Sequence, residues 1–214
     1  MKDLQKNLNQ FVTQKFLSYG LHLGSLKIKW NPKFKPFLTA FRYKLCLINL
    51  DYTLYYLKRA MKFLLKTVLA DQKILFVGSP VGIEKEFATL CKRNNHYFLE
   101  RGLYGFFSDY KKKYYVGSGL SSKIIDPPAI VVLFDPLSNY MVLEELKFLD
   151  IPIVSFVSSD ENYSLIDYPI PANIKSQKGG LFVYNLFYHI FLIKSLKRND
   201  NKTKISKKLI KTRK

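Results

Sequence analysis

Residues 73–77 read Lys-Ile-Leu-Phe-Val and run directly into Gly78-Ser79-Pro80. A continuous apolar run with no polar alternation predicts a strand buried on both faces, the kind that parallel sheets contain. Gly and Pro end it. The pattern recurs downstream. Ile130 to Phe134 stops at Asp135-Pro136, and Ile151 to Val157 is a further apolar run. His96 to Leu99 predicts another strand, and Tyr168 to Pro171 a short last one. Helical spacing predicts helices over 81–93, closed by Asn94-Asn95, over 138–149 and over 176–195. Upstream, Leu45 to Leu50 reads as a short apolar strand. Residues 51–69 read as a helix with Leu54, Leu57, Met61, Leu64, Leu65 and Val68 on one stripe and Lys58, Arg59, Lys62 and Lys66 outside it. Buried-type strands alternating with helices predict an α/β fold, a parallel sheet with helices on both faces.

Charge divides the chain differently. Residues 1–70 balance at +11, residues 71–193 at −1 and residues 194–214 at +9, within a total of +19. A nearly neutral apolar middle between two basic arms predicts three parts. These are an N-terminal helix and extended basic segment over 1–44, the α/β domain over 45–193 and a basic tail over 194–214. Within the first part, Leu4, Leu8, Phe11, Val12 and Phe16 predict a short amphipathic helix. The stretch 21–36, with one Gly, two Pro and four Lys, reads as extended. Ten cations against one acid give the tail no means to build a core, so it is expected to be disordered when free. Cations that neutralise phosphates release condensed counterions, so a chain of this charge is expected to meet nucleic acid.

Catalysis finds no support in the residues. Phe76 to Gly82 (FVGSPVG) is a glycine-bearing strand-to-helix loop, but it is neither GxGxxG nor a Walker loop. Asp135 stands where α/β enzymes place a catalytic carboxylate, yet without a partner it reads as the turn that starts a helix. His22, His96 and His189 share no ligand spacing, and the latter two read as core or boundary residues. Cys46 and Cys91 lie 45 positions apart with no CxxC, so both read as buried thiols. No metal or cofactor is expected. The apolar run Leu181 to Ile193 is 13 residues long, too short for a bilayer, so no membrane span is expected. Neither a secretory signal nor an Arg- and Ser-rich transit peptide is visible at the start.

Composition is skewed in one direction. Phe, Tyr, Ile, Lys and Asn total 89 residues against 31 for Gly, Ala, Arg and Pro, and Lys outnumbers Arg 29 to 6. Phosphate binding favours Arg, so the bias points to AT-rich codons. Aromatic and basic residues interleave over 27–44, a nucleic-acid pattern in which rings stack on bases beside cations. Phe37 and Phe41 are expected to pack inward, with Trp30 left open.

Gly20-Leu21-His22-Leu23-Gly24 with Trp30-Asn31-Pro32-Lys33 and Pro36-Phe37 resembles the signature GxHxGH…WNPKMKPY. Ile48-Asn49-Leu50 resembles IINL, and Ile74 to Ser79 resembles ILFVGTK. Asp135-Pro136, Glu144-Glu145 and Leu149 to Pro152 match a DP…EA…LGIP block, and Asp167 to Asn173 matches VDYPIPGND. These are the motifs of the ribosomal protein S-two family, the second protein of the small ribosomal subunit in its bacterial and organellar form. The chain resembles that family over about residues 14–193. Departures are Ser25 in place of a His, Ser158-Ser159-Asp160 in place of DTN, and Arg101 to Asp109 in place of RWLGGTLTN. Only about twenty residues, 109–129, fill the interval where bacterial members carry a helical hairpin, so that hairpin is expected to be absent.

The resemblance implies a Rossmann-like (flavodoxin-like) domain and a structural, non-enzymatic role in the small ribosomal subunit. Implied partners are ribosomal RNA, neighbouring small-subunit proteins and the messenger RNA path. The candidate RNA-binding residues are Lys27, Lys29, Trp30, Lys33, Lys35, Arg42, Lys44, Arg101, Lys111, Lys112, Lys113, Lys197, Arg198, Lys207, Lys208, Lys211 and Arg213. The match begins near residue 14, which leaves little room for a presequence. With the AT-skewed usage, this favours synthesis within a mitochondrion, with a plastid or a bacterial cytoplasm as alternatives. A nucleotide-dependent enzyme on the same fold, or a non-ribosomal nucleic-acid binder, are the competing functions.

Overall fold

The apolar stretches at 74–77, 130–133 and 153–157 lie side by side in one sheet, as their unbroken hydrophobicity demands. The computed structural model describes residues 2–102 and 128–211, with side chains over 9–102 and 128–197. Along the chain come α1 (Lys2–Ser18), β1 (Leu23–Leu26), a 3-10 helix (Pro32–Phe37), β2 (Leu38–Arg42), β3 (Leu45–Ile48) and α2 (Leu50–Leu69). Then follow β4 (Ile74–Val77), α3 (Glu84–Arg93), β5 (Tyr97–Leu99), β6 (Ile130–Leu133), α4 (Tyr140–Phe148), β7 (Ile153–Val157), β8 (Tyr168–Pro171) and α5 (Gln177–Lys211). The larger sheet is parallel, with spatial order β5-β4-β6-β7-β8. Its first strand in sequence stands second in space, which is the flavodoxin-like order of doubly wound folds.

Strand residues alternate between two cores. Ile74, Phe76, Phe98, Ile130, Val132, Phe134, Val154, Phe156 and Ile170 pack with α2, α3 and α5. Leu75, Val77, Tyr97, Leu99, Val131, Leu133, Ile153 and Val157 face α4 and the 3-10 helix. Phe76 is fully buried, its ring 5.0 Å from Phe187 on α5 and 5.4 Å from Phe87 on α3. Asn49 caps α2 by accepting from the Asp51 N–H at 2.9 Å, and Asp51 complements the positive end of that helix.

His96 just before β5 is buried, as the sequence predicts, whereas His189 lies on the exposed side of α5. The Ile74 N–H donates to His96 Nδ1 at 3.3 Å, and the ring stacks on Phe191. Burial, with Lys194 and Lys73 nearby and Asp71 opposing, lowers its pKa to about 3. The unfolded chain therefore binds a proton below about pH 6.5 that the folded chain refuses, so stability falls with acid. At pH 5 the expected loss from this residue is about 2 kcal/mol. Denaturant titrations at pH 7 and pH 5 check it, and His96→Leu should remove most of that pH dependence.

Three expectations are corrected. The first concerns the segment read as extended. Leu23–Leu26 is extended in β1, as expected, but Pro32–Phe37 forms a 3-10 helix, because Pro32 sits at the helix start, Pro36 tolerates helical φ, and Asn31 accepts from the Lys33 N–H at 3.0 Å. The strand at 45–48 joins β1 and β2 in a separate antiparallel sheet of order β1-β3-β2, which straddles residue 44. The second concerns the tail, whose backbone continues α5 as far as Lys211. Once packing has nucleated a helix, each further residue adds a bond, and Lys is a good helix former. The third concerns only the length of the apolar part of that helix, not the expectation that no segment spans a membrane. Gln177–Lys197 is long and apolar enough to cross a bilayer by composition alone, while Val183, Phe187, Ile190 and Phe191 are buried in the core. The interval expected to lack a helical hairpin falls almost wholly within 103–127, outside the described residues.

Candidate nucleic-acid interface

The small antiparallel sheet is built from sequence with no acid between Asp3 and Asp51. Its β2–β3 hairpin closes through Tyr43 and Lys44, at φ +48° and +64°. Two left-handed central residues are what a type I′ hairpin requires. A non-glycine residue there costs about 1–2 kcal/mol, so this turn is strained.

Hydrogen bonds fix this sheet to the loops beyond the C-terminal ends of β7 and β8. The Asn31 N–H donates to the Ser159 carbonyl at 2.8 Å, and the Asn173 N–H donates to the Leu21 carbonyl at 3.0 Å. Ser25 bonds Ser159 twice, through its N–H at 2.8 Å and its hydroxyl at 2.6 Å. These two serines belong to separate departures from the family signature, and the fold brings them into contact. A Cβ on Gly24 would sit 2.7 Å from Ser159 Oγ, so only glycine allows this approach. Behind the contact, Lys175 Nζ lies 2.9 Å from Glu161 and 3.3 Å from Asp160. The Glu161 side chain is 2% exposed and accepts from the Ser158 N–H. Burial pushes its carboxyl above the ordinary range, against the opposing pull of Lys175.

On the outside, Lys27, Lys29, Lys33, Lys35, Arg42 and Lys44 are exposed. Among the described residues, no ion pair engages any of them. The fold gathers Lys27, Trp30, Arg42 and Lys44 around the hairpin. The Lys27 N–H donates to the Lys44 carbonyl at 2.7 Å, and Lys27 Nζ lies 5.1 Å from the Phe41 ring. Half-buried Trp30 packs edge-on against Phe41 at 5.4 Å. Phe41 is 42% exposed, which corrects the expectation that it packs inward, because β2 lies on the outside of the sheet. Phe37 is buried as expected. Lys33 and Lys35 ride on the 3-10 helix, where Lys33 Nζ reaches Ser164 Oγ at 3.3 Å.

The remaining candidates lie elsewhere. Arg101 is exposed after β5, at the sheet edge opposite β8, about 19 Å away at 4.8 Å per strand. Lys197 is exposed on α5, and Arg198, Lys207, Lys208 and Lys211 lie along its backbone, where their side chains are not described. Lys111, Lys112, Lys113 and Arg213 fall outside the described residues. Tyr43, which belongs to the interleaved aromatics of 27–44 but not to the candidate RNA-binding residues, is 85% exposed beneath the Arg42 guanidinium at 5.3 Å. Asn-Gly, the usual sign of such a turn, is absent from it.

The loop at 78–82 is occupied by the chain itself. The Gly82 N–H donates to Glu84 Oε1 at 2.9 Å, and a Cβ on Gly180 of α5 would collide with the Val81 carbonyl. Asp135 accepts from the Ser138 hydroxyl, and its carbonyl accepts from Asn139 Nδ2, as a helix-starting turn requires. Both cysteines are free and buried, and burial raises both thiols.

A model of the family described as Ribosomal protein S2 matches residues 16–114 and 108–190. The chain belongs to this family. The matched span runs from the end of α1 through both sheets and into α5, and leaves the basic end of α5 beyond it. Small ribosomal subunit protein uS2 of Agrobacterium fabrum is 29% identical over 202 residues, covering 78% of this chain and 79% of the relative. That of Rhizobium etli is 26% identical over the same length and coverage. Small ribosomal subunit protein uS2m of Schizosaccharomyces pombe is 28% identical over 172 residues, covering 73% of this chain and 65% of the relative. Ser25, Ser159 and the Tyr43-Lys44 turn all lie within the stretches shared with the S2 family.

Proposed function

We propose that the chain is a structural, non-enzymatic constituent of the small ribosomal subunit, bound to its ribosomal RNA and to neighbouring small-subunit proteins. One observation carries this reading. The family match extends across both sheets, and the relatives are named as small-subunit proteins. Electrostatics support it, since the exposed cations of the small sheet pair with no acid among the described residues, and the sequence holds none between Asp3 and Asp51. Unpaired surface cations are available to phosphates, and the release of counterions gives sequence-independent affinity. The finer reading is mitochondrial translation, supported by the AT-type residue usage and the fission-yeast relative. It includes proximity to the messenger RNA path, which follows from the resemblance, and no membrane span, a reading supported by the burial of Val183, Phe187, Ile190 and Phe191 of α5 in the core. A nucleotide-dependent enzyme is disfavoured because Glu84 takes the Gly82 N–H that a phosphate would need.

Arg42→Glu with Lys44→Glu tests the surface. Both side chains are exposed, so the isolated protein should keep its thermal midpoint. Affinity for small-subunit RNA should fall, and the slope of log affinity against log salt should shrink by about 0.7–0.9 for each phosphate no longer neutralised. Unfolding of the variant, or an unchanged affinity and slope, would remove this hairpin from the interface.

A further inference from the structure

The hairpin tip carries two features that packing does not explain. Tyr43 and Lys44 both hold left-handed backbone, where Asn and Gly are the inexpensive residues. Local backbone strain persists where the surroundings require it, and it clusters at binding sites. The Tyr43 ring is 85% exposed, so burial gives the strain no return. One cation lies against the ring and others stand on the neighbouring backbone. The Arg42 guanidinium lies 5.3 Å from its centroid, Lys44 is the next residue of the turn, and the Lys27 backbone N–H donates to the Lys44 carbonyl, with exposed Lys29 two residues further along.

We propose that Tyr43 is a stacking site for an unpaired RNA base, with Arg42, Lys44 and Lys27 on the flanking phosphates. This rests on the ribosomal reading above and deepens it, because phosphate binding alone would leave the ring without a role. An aromatic face beside cations is the arrangement that holds single-stranded or looped RNA, whose bases are free to splay out. A paired duplex offers no such base. The site therefore selects unpaired segments.

The test uses Tyr43→Asn and Tyr43→Phe in the full chain. Asn relieves the left-handed strain and removes the ring, so the variant should melt higher than the natural protein yet bind RNA more weakly. The probes are a single-stranded RNA of about 12 nucleotides, within known single-strand site sizes, and a duplex of the same length. For the single strand, Tyr43→Asn should lose about 5- to 150-fold in affinity at every salt concentration, with the salt slope unchanged because every phosphate keeps its cation. Duplex binding should be unchanged, and Tyr43→Phe should bind like the natural chain. Equal single-strand affinity for Tyr43→Asn, with salt-dependent binding intact, would overturn the stacking site and leave the ribosomal reading standing. An equal loss on single strand and duplex would also overturn it. Failure of the natural chain to bind either short RNA would overturn the stacking site, and only failure to bind small-subunit RNA as well would overturn the ribosomal reading.

Discussion

Phe76→Ala should destabilise the isolated protein by about 3–5 kcal/mol, read as a fall in the denaturant midpoint at constant slope. The ring sits at 0% exposure on β4 between α3 and α5, within 5.0–6.4 Å of the Phe87, Phe134, Phe187 and Phe191 rings. Those neighbours are themselves buried, so little can collapse into the space that truncation leaves. A domain of this kind is stable by only about 5–15 kcal/mol, so one ring is a large fraction of the whole. A loss below about 1 kcal/mol would mean that the two helices do not close on this sheet face as described.

Lys175→Ala should cost about 2–3 kcal/mol, less than the 3–5 of a fully buried pair because Lys175 is 42% exposed. The cost comes from the partner left behind. Glu161, at 2% exposure, would lose the cation that offsets its burial, in the loop that holds Ser158 and Ser159. Glu161→Gln should cost less, since the amide oxygen can still accept from the Ser158 N–H. The sign with pH follows from the direction of the shift. Glu161 titrates above its unfolded value, so its contribution is full below the unfolded pKa and declines as pH rises through the folded one. In Lys175→Ala that decline should steepen, which stability curves between pH 5 and pH 8 would measure. Flat curves for both variants would contradict the role of the pair.

Much of the α/β domain was legible because its signal is local. Four-residue runs such as Ile74–Val77 and Ile130–Leu133 have no polar face, and only a sheet covered on both sides buries them. The small sheet was not legible in the same way. Leu23–Leu26 contains Gly and Ser, and Leu38–Arg42 is exposed along most of its length, so neither carries an alternation of burial. Leu45–Ile48 read as a strand, but its partners are set by tertiary pairing. The exposed cations were readable from charge. Tyr43 was readable as one of the aromatics interleaved with them, but its place at a hairpin tip was not, because the turn lacks the glycine or asparagine that usually betrays one. The Lys175–Glu161 pair joins two loops across β8, an interaction with no periodic trace. The end of α5 was missed because helix propagation can outrun the amphipathic pattern from which helices are read.

The central claim, residence in the small ribosomal subunit, is tested most directly by sedimenting a lysate that contains the tagged full chain through a high-salt gradient. The prediction is that the chain travels with small-subunit RNA, and that it moves to the top of the gradient after ribonuclease digestion. A chain that stays at the top while small-subunit RNA sediments normally would contradict the assignment.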